Sequence, residues 1–302
     1  MITTEINFCG KKFSNPTVLA AGVRGSSYHT LEEVSRKGAG AVTCKSLLVE
    51  ERNGHDNPII VDLGNNSFIN AVGLSCPPLS EGLELIKNYS GKAPLIVNIA
   101  AFSVKDFKRL VETIDPLKPS FLEVNISCPN VGHNLPFGKS AKLTKELIEE
   151  IRPLTDIPLV IKLTPNVNDI VKIAVAAVDA GADAISAINT VGPGMKININ
   201  ARKPELSNKV GGLSGQVIKP IAIRCIYEIF KEVNVPIIGI GGVFSSFDAI
   251  EMILAGASCV GIGSAIYSKG LDIFKEIPEG ILCYMRQEGF TSISEMVGLA
   301  HD

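Results

Sequence analysis

Phe121-Leu122-Glu123-Val124-Asn125-Ile126-Ser127-Cys128-Pro129-Asn130 is the stretch on which the fold turns. It begins as a strand, with apolar Phe121, Leu122 and Val124 after Pro119. It cannot continue as a ladder past Pro129, which has no N–H to donate. Asn125, Ser127, Cys128 and Asn130 therefore gather where a strand gives way to a loop. In a barrel of alternating strands and helices, chemistry sits at that end of the strand. A thiol between carboxamides suits a planar, amide-rich substrate and a proton to be removed. The plain alternative is an ordinary buried cysteine, a common fate for a free thiol.

Outward from this strand the same unit recurs. Pro16 to Ala20, Ala41 to Cys44, Pro94 to Ile99, Pro158 to Leu163, Asp183 to Ile188, Pro236 to Ile240 and Ser258 to Ile262 are short apolar runs. Helical segments lie between them: His29 to Lys37, Leu79 to Tyr89, Val104 to Ile114, a helix from Thr144 to Leu154, Asn168 to Ala180, one from Gly215 to Lys231, and Ser246 to Leu254. Eight such units predict a parallel sheet closed into a (β/α)8 TIM barrel, one domain over residues 1–302. An N-terminal hairpin is expected at Ile6 to Phe13, turning at Gly10-Lys11. Two insertions are expected at the C-terminal face: a polar loop from Glu50 to Asn70, and Val191 to Leu213. A helical tail follows Tyr267. The rival is an open doubly wound sheet, but no G-x-G-x-x-G follows the first strand, so a nicotinamide Rossmann site is not indicated.

Composition narrows the function. The 302 residues are 46% hydrophobic and 20% charged, enough for a large single core, and the net charge of -2 points to neither nucleic acid nor an anionic membrane. Seven scattered cysteines with no C-x-x-C argue against disulfides, zinc or an iron–sulfur cluster in this chain, so no metal is expected. A reducing, cytoplasmic setting fits. The N-terminus reads as neither a secretory signal nor a membrane anchor, which speaks against direct contact with a membrane quinone.

Three further groups converge on the strand ends. Gly239-Ile240-Gly241-Gly242-Val243 and Gly261-Ile262-Gly263-Ser264-Ala265 close the last two strands, where barrels hold a phosphate on backbone N–H groups. The ligand would then be FMN, pyridoxal phosphate or a sugar phosphate; glycine used only for close packing is the alternative. Lys45 and Lys162 end the second and fifth strands, as electrostatic partners of an electron-rich ring or as a Schiff-base lysine. Asn70, Asn98, Asn125, Asn130 and Asn189 offer paired donors and acceptors, and four of the five end or follow a strand, where asparagine is disfavoured.

Asn125-Ile-Ser-Cys-Pro-Asn130, Asn70-Ala-Val-Gly-Leu74, Thr43-Cys-Lys-Ser46 and Arg202-Lys-Pro204 through Gly211-Gly-Leu-Ser-Gly215 to Lys219-Pro-Ile-Ala222 together resemble the dihydroorotate dehydrogenases, and among them the catalytic subunit of the NAD-linked class 1B form. The resemblance runs over nearly the whole chain. It implies an FMN-containing barrel that oxidises dihydroorotate to orotate in pyrimidine biosynthesis. Cys128 would be the base that takes the C5 proton while a hydride leaves C6 for flavin N5, with Lys45 beside it. Gly22, Lys45, Ser46, Asn98, Asn125, Lys162, Ile188, Gly215, Gly241, Gly242, Gly263 and Ser264 would contact FMN. Lys45, Asn70, Ala71, Val72, Gly73, Leu74, Asn125, Asn130, Asn189 and Thr190 would contact substrate. The family further implies a homodimer of catalytic chains joined by an electron-transfer subunit carrying FAD and a 2Fe–2S cluster, which would hand electrons to NAD. The loop from Val131 to Lys142 is expected to close over the substrate; its run Val131-Gly-His-Asn-Leu-Pro-Phe-Gly138 departs from the family's usual Lys and Gly-Gly pair, and Ser264 stands where threonine is commoner. A dihydrouracil- or dihydrothymine-oxidising flavoenzyme, a Schiff-base lyase and a non-catalytic barrel are the competing readings.

Overall fold

The computed structural model describes residues 2–127 and 137–301. The chain opens with a hairpin of β1 (Ile6–Phe8) and β2 (Lys11–Phe13). It turns at Cys9-Gly10, one residue earlier than expected, because both take positive φ (46° and 78°), as a two-residue hairpin turn requires. Then come β3 (Thr17–Leu19), α1 (Tyr28–Arg36), β4 (Ala41–Thr43), β5 (Ile60–Gly64), β6 (Ser67–Asn70), α2 (Leu79–Asn88), β7 (Leu95–Ile99), α3 (Val104–Ile114) and β8 (Phe121–Asn125). The second half holds α4 (Ala141–Ile151), β9 (Leu159–Lys162), α5 (Ile170–Asp179), β10 (Ala184–Ala187), β11 (Val191–Gly194), β12 (Ile197–Asn198), β13 (Lys203–Pro204), β14 (Gly211–Gly215), α6 (Lys219–Phe230), β15 (Ile237–Ile240), α7 (Ser246–Leu254), β16 (Cys259–Ile262), α8 (Ala265–Lys269) and α9 (Ile273–Glu288).

Strands β3, β4, β7, β8, β9, β10, β15 and β16 pair in parallel in that order, and β16 closes back on β3. This is the expected (β/α)8 barrel. Five of its helices start where the sequence supplies a cap: Ser27, Ser103, Ser140, Asp169 and Ser245 each accept an amide N–H of the first turn. Ser140 explains why α4 begins at Ala141 and not at Thr144. Pro153 explains its early end, since Arg152–Leu154 tightens into a 3-10 turn.

Side chains two apart along a strand share a face, and that rule layers the barrel interior. Its floor is apolar: Val18, Ala41, Ile96, Phe121, Val160, Ala184 and Ile238 are buried together and are sealed from below by Phe8 and Phe13 of the hairpin. Phe8 and Phe13 stack at 5.4 Å, and both meet Phe121 edge-on. Two residues further along β7, β8, β9 and β10 the same face carries Asn98, Glu123, Lys162 and Ser186, all buried. The interior thus turns from apolar to polar in one step, just below the C-terminal mouth.

The two insertions are not structureless. β5 and β6 from the first and β11 and β14 from the second form one antiparallel sheet in the order β11-β14-β6-β5. Ile69, Ala71 and Leu206 form its own small buried cluster. Strands such as Val-Gly-Pro-Gly (191–194) and Gly-Gly-Leu-Ser-Gly (211–215) lack the β-branched, alternating signal, so only pairing makes them strands, β14 with β6 and β11 with β14.

Candidate active site

The sheet stands beside the barrel mouth, and the cleft between them has an empty volume of about 1310 Å3 counted out to its opening. Gly22, Lys45, Ser46, Asn70, Val72, Leu74, Asn125, Lys162, Ile188, Asn189, Thr190, Gly215, Gly241, Gly242, Gly263 and Ser264 line it. These residues come from loops and strand ends spread over most of the chain, and the fold brings them to one place. Asn98, Ala71 and Gly73 are not in the cleft wall. Asn98 is fully buried beneath it, Ala71 is turned into the sheet's own small core, and Gly73 packs on His55. Cys128 and Asn130, with the 131–136 part of the expected closing loop, lie outside the described residues. The rest of that segment is fixed: Phe137–Lys139 is a 3-10 turn, Phe137 is buried, and Gly138 N–H donates to Ile126 at 3.0 Å.

One wall is polar. The Asn125 carboxamide oxygen accepts from Ser127 N–H at 3.2 Å and from its hydroxyl at 2.5 Å. The Ser127 hydroxyl in turn accepts from the Asn189 NH2. Asn189 is held on its other side by Thr190 N–H at 2.8 Å. The strand end that leads to Cys128 is therefore locked by its own side chains, and the Asn125 NH2 has no partner among the described residues. Across the cleft, Asn70 donates to Gly212 at 3.3 Å, which ties β6 to β14.

Two cations look into the cleft. Lys45 Nζ donates to Ser75 Oγ at 2.7 Å, and burial holds its pKa below the ordinary lysine value. Lys162 is only 6% exposed. Among the described residues neither lysine has a carboxylate within ion-pair distance. Lysines so placed await an electron-rich or anionic group, because an unpaired buried charge is costly. Ser75, which carries no motif signal, holds Lys45 in place.

The opposite wall is backbone. Gly215, Gly241 and Gly242 have φ of 88°, 134° and 77°, where a side chain would be strained. A Cβ on Gly242 would stand 2.6 Å from Lys219 Cβ, whereas Gly263 would meet only Ala20, at 3.8 Å. Bare backbone with open space above it, followed by Ser264 and the start of α8, suits the phosphate of a small cofactor. Lys219 does not compete for it: its ammonium is taken by Asp248 at 2.8 Å and Glu251 at 2.7 Å. Phe68 and Tyr267, with ring centroids 5.5 Å apart, and Ile60 form an apolar rim. The donor set fits a planar ring carrying a phosphate: cations and amides for the ring, glycine backbone for the phosphate, apolar edges at the opening.

Residues 3–285 match the family model described as dihydroorotate dehydrogenase. The chain belongs to the dihydroorotate dehydrogenase family. Dihydroorotate dehydrogenase relatives named as the B (NAD(+)) form, catalytic subunit, align over almost their full length. That of Methanothermobacter thermautotrophicus is 41% identical over 300 residues, covering 99% of this chain and 98% of the relative. Those of Thermococcus kodakarensis and Pyrococcus horikoshii are 43% and 44% identical over 297 residues, covering 98% of this chain and 97% of each relative. Among the described residues of this dihydroorotate dehydrogenase-family chain, no group of three or more His, Cys, Asp or Glu side chains could hold a metal, and no helix is long and apolar enough to cross a membrane.

Proposed function

We propose that this chain oxidises dihydroorotate to orotate in pyrimidine biosynthesis, with FMN in the cleft. The observation that carries the reading is the joint placement of Lys45, Asn70, Asn125 and Asn189 in one cleft with the Gly241-Gly242 and Gly263-Ser264 turns, in a chain of this family. Dihydroorotate is anionic and amide-rich. Lys45 matches its carboxylate, and the carboxamides match its alternating C=O and N–H groups. Gly215, Gly241, Gly242, Gly263 and Ser264 would hold the FMN phosphate; Lys162 would face the ring. When bound, the flavin supplies the hydride acceptor. Lys162 would stabilise negative charge on such a ring, an effect that preorganised charge can make worth several kcal/mol.

Cys128 follows directly on the locked Asn125–Ser127 segment, and we assign it the role of base for the C5 proton. A thiol serves because its ordinary pKa of about 8.5 can be brought toward working pH. The isolated chain has no nicotinamide fingerprint. A second subunit, carrying FAD and an iron–sulfur cluster, would take the electrons on to NAD from a dimer of these chains in the cytoplasm, in keeping with the "catalytic subunit" and "NAD(+)" in the relatives' names. The test is anaerobic flavin reduction by dihydroorotate and, separately, by dihydrouracil, which lacks the carboxylate. Fast bleaching by dihydroorotate alone is expected. A preference for dihydrouracil would overturn the substrate assignment.

A further inference from the structure

Glu123 is 2% exposed and points into the barrel interior, one layer below the cleft. Both carboxylate oxygens accept hydrogen bonds: Oε2 from the Asn98 NH2, and Oε1 from Ser186 Oγ at 2.7 Å. Asn98 stands on β7 and Ser186 on β10, so the carboxylate reaches across β9, whose inward side chain at the level of Ser186 is Lys162. Lys162 extends upward into the cleft wall and is not within ion-pair distance of Glu123. The arrangement has two costs. A carboxylate is buried with no cation in contact, and Asn98 Oδ1 is buried with no hydrogen-bond partner, because Glu123 has claimed the NH2 end of that amide. A glutamine at 123 would remove the first, because it carries no charge; its NH2 could donate to Asn98 Oδ1 once that amide turned over, which leaves the Asn98 NH2 as the unpartnered group instead. Groups kept against stability beneath a site are candidates for function.

Resting on the FMN reading above, we propose that Glu123 is a positioning residue that fixes the Asn98 carboxamide and stands as a negative charge beneath Lys162, holding down the reduction potential of the flavin in the cleft. Lys45 and Lys162 together favour the reduced, more negative ring. Left uncompensated, they would make it a strong electron acceptor but a poor donor to a low-potential nicotinamide couple. A carboxylate one layer down, in a medium of low dielectric, offsets part of that pull.

The test compares wild type, Glu123→Gln and Glu123→Asp by FMN content, by the melting temperature of the flavin-free protein, and by flavin midpoint potential from spectroelectrochemistry. Glu123→Gln should bind FMN, should melt no lower than wild type, and should shift the flavin about tenfold toward the reduced form, a rise of ~30 mV for a two-electron couple. Glu123→Asp keeps the charge on a shorter arm; it should melt lower yet stay within about threefold of the wild-type flavin equilibrium. An unchanged or lowered potential in Glu123→Gln, or a melting temperature well below wild type, would make the residue structural only and overturn the proposal. So would Glu123→Asp matching Glu123→Gln in potential. A wild type that holds no FMN would instead sink the functional reading, and this proposal with it.

Discussion

Lys45 shows how a single residue joins the sequence to the chemistry. It follows β4, is half-buried against Ser75, and meets no carboxylate among the described residues. Replacing it with methionine should cost about 2 kcal/mol, the worth of a charge-assisted hydrogen bond, or roughly a thirtyfold fall in kcat/KM for dihydroorotate. Burial lowers its pKa from 10.5, so the ammonium is lost at lower pH than from a free lysine. KM for dihydroorotate should therefore rise on the alkaline side, before a free lysine would titrate. For folding the sign is opposite: the unfolded chain binds this proton more tightly, so Lys45 makes the fold more stable as pH rises through that window. A Lys45→Met variant should flatten the alkaline rise in KM. Cys128→Ala should leave FMN bound but slow flavin reduction by dihydroorotate by about a hundredfold or more, the usual loss of a positioned base; fast reduction in a stopped-flow trace would remove Cys128 from the mechanism. What Glu123 does was not legible in the sequence, because its partners Asn98 and Ser186 lie 25 and 63 residues away. Asn98 shows the same limit from the other side: it ends in the right barrel, one layer too deep to line the cleft.

At the scale of elements, the eight barrel strands and most helix starts were legible, since strands buried on both faces read as short apolar runs and helices announce themselves by serine or aspartate caps. The four-stranded sheet was not. Its strands come from two polar, glycine-rich insertions far apart in sequence, and tertiary pairing overrides their weak propensity. The Gly241-Gly242 turn has its own support. Asp248 of α7 would be pushed up by burial, but hydrogen bonds from Lys219, Ser245 and the Phe244 N–H outweigh this and hold its pKa below the usual 3.8. Its stabilisation is complete above the unfolded pKa and is lost as pH falls through the lower folded value. Asp248→Asn should destabilise the protein by about 2 kcal/mol near neutral pH and shrink the acid-dependent loss, which is measurable by chemical denaturation across pH. Gly242→Ala puts a Cβ 2.6 Å from Lys219 Cβ at a positive φ. It should weaken FMN retention far more than it weakens dihydroorotate recognition, and flavin release on dilution would show it.

Seen whole, the molecule is a barrel sealed below by a phenylalanine hairpin and fitted above with a polar cleft, so its chemistry can open in one direction only. In the proposed reading, an electron-transfer partner would approach the flavin from that same mouth, beside the apolar rim of Phe68 and Tyr267. The isolated chain should accordingly be reduced quickly by dihydroorotate yet reduce NAD slowly, and rapid NAD reduction without a second subunit would refute the division of labour. The most direct measurement is an anaerobic titration of the purified chain with dihydroorotate, followed by flavin absorbance. A yellow protein with about one FMN per chain, bleached stoichiometrically by dihydroorotate, is the expected result. A colourless protein that FMN cannot reconstitute, or a flavin that dihydroorotate leaves oxidised, would contradict it.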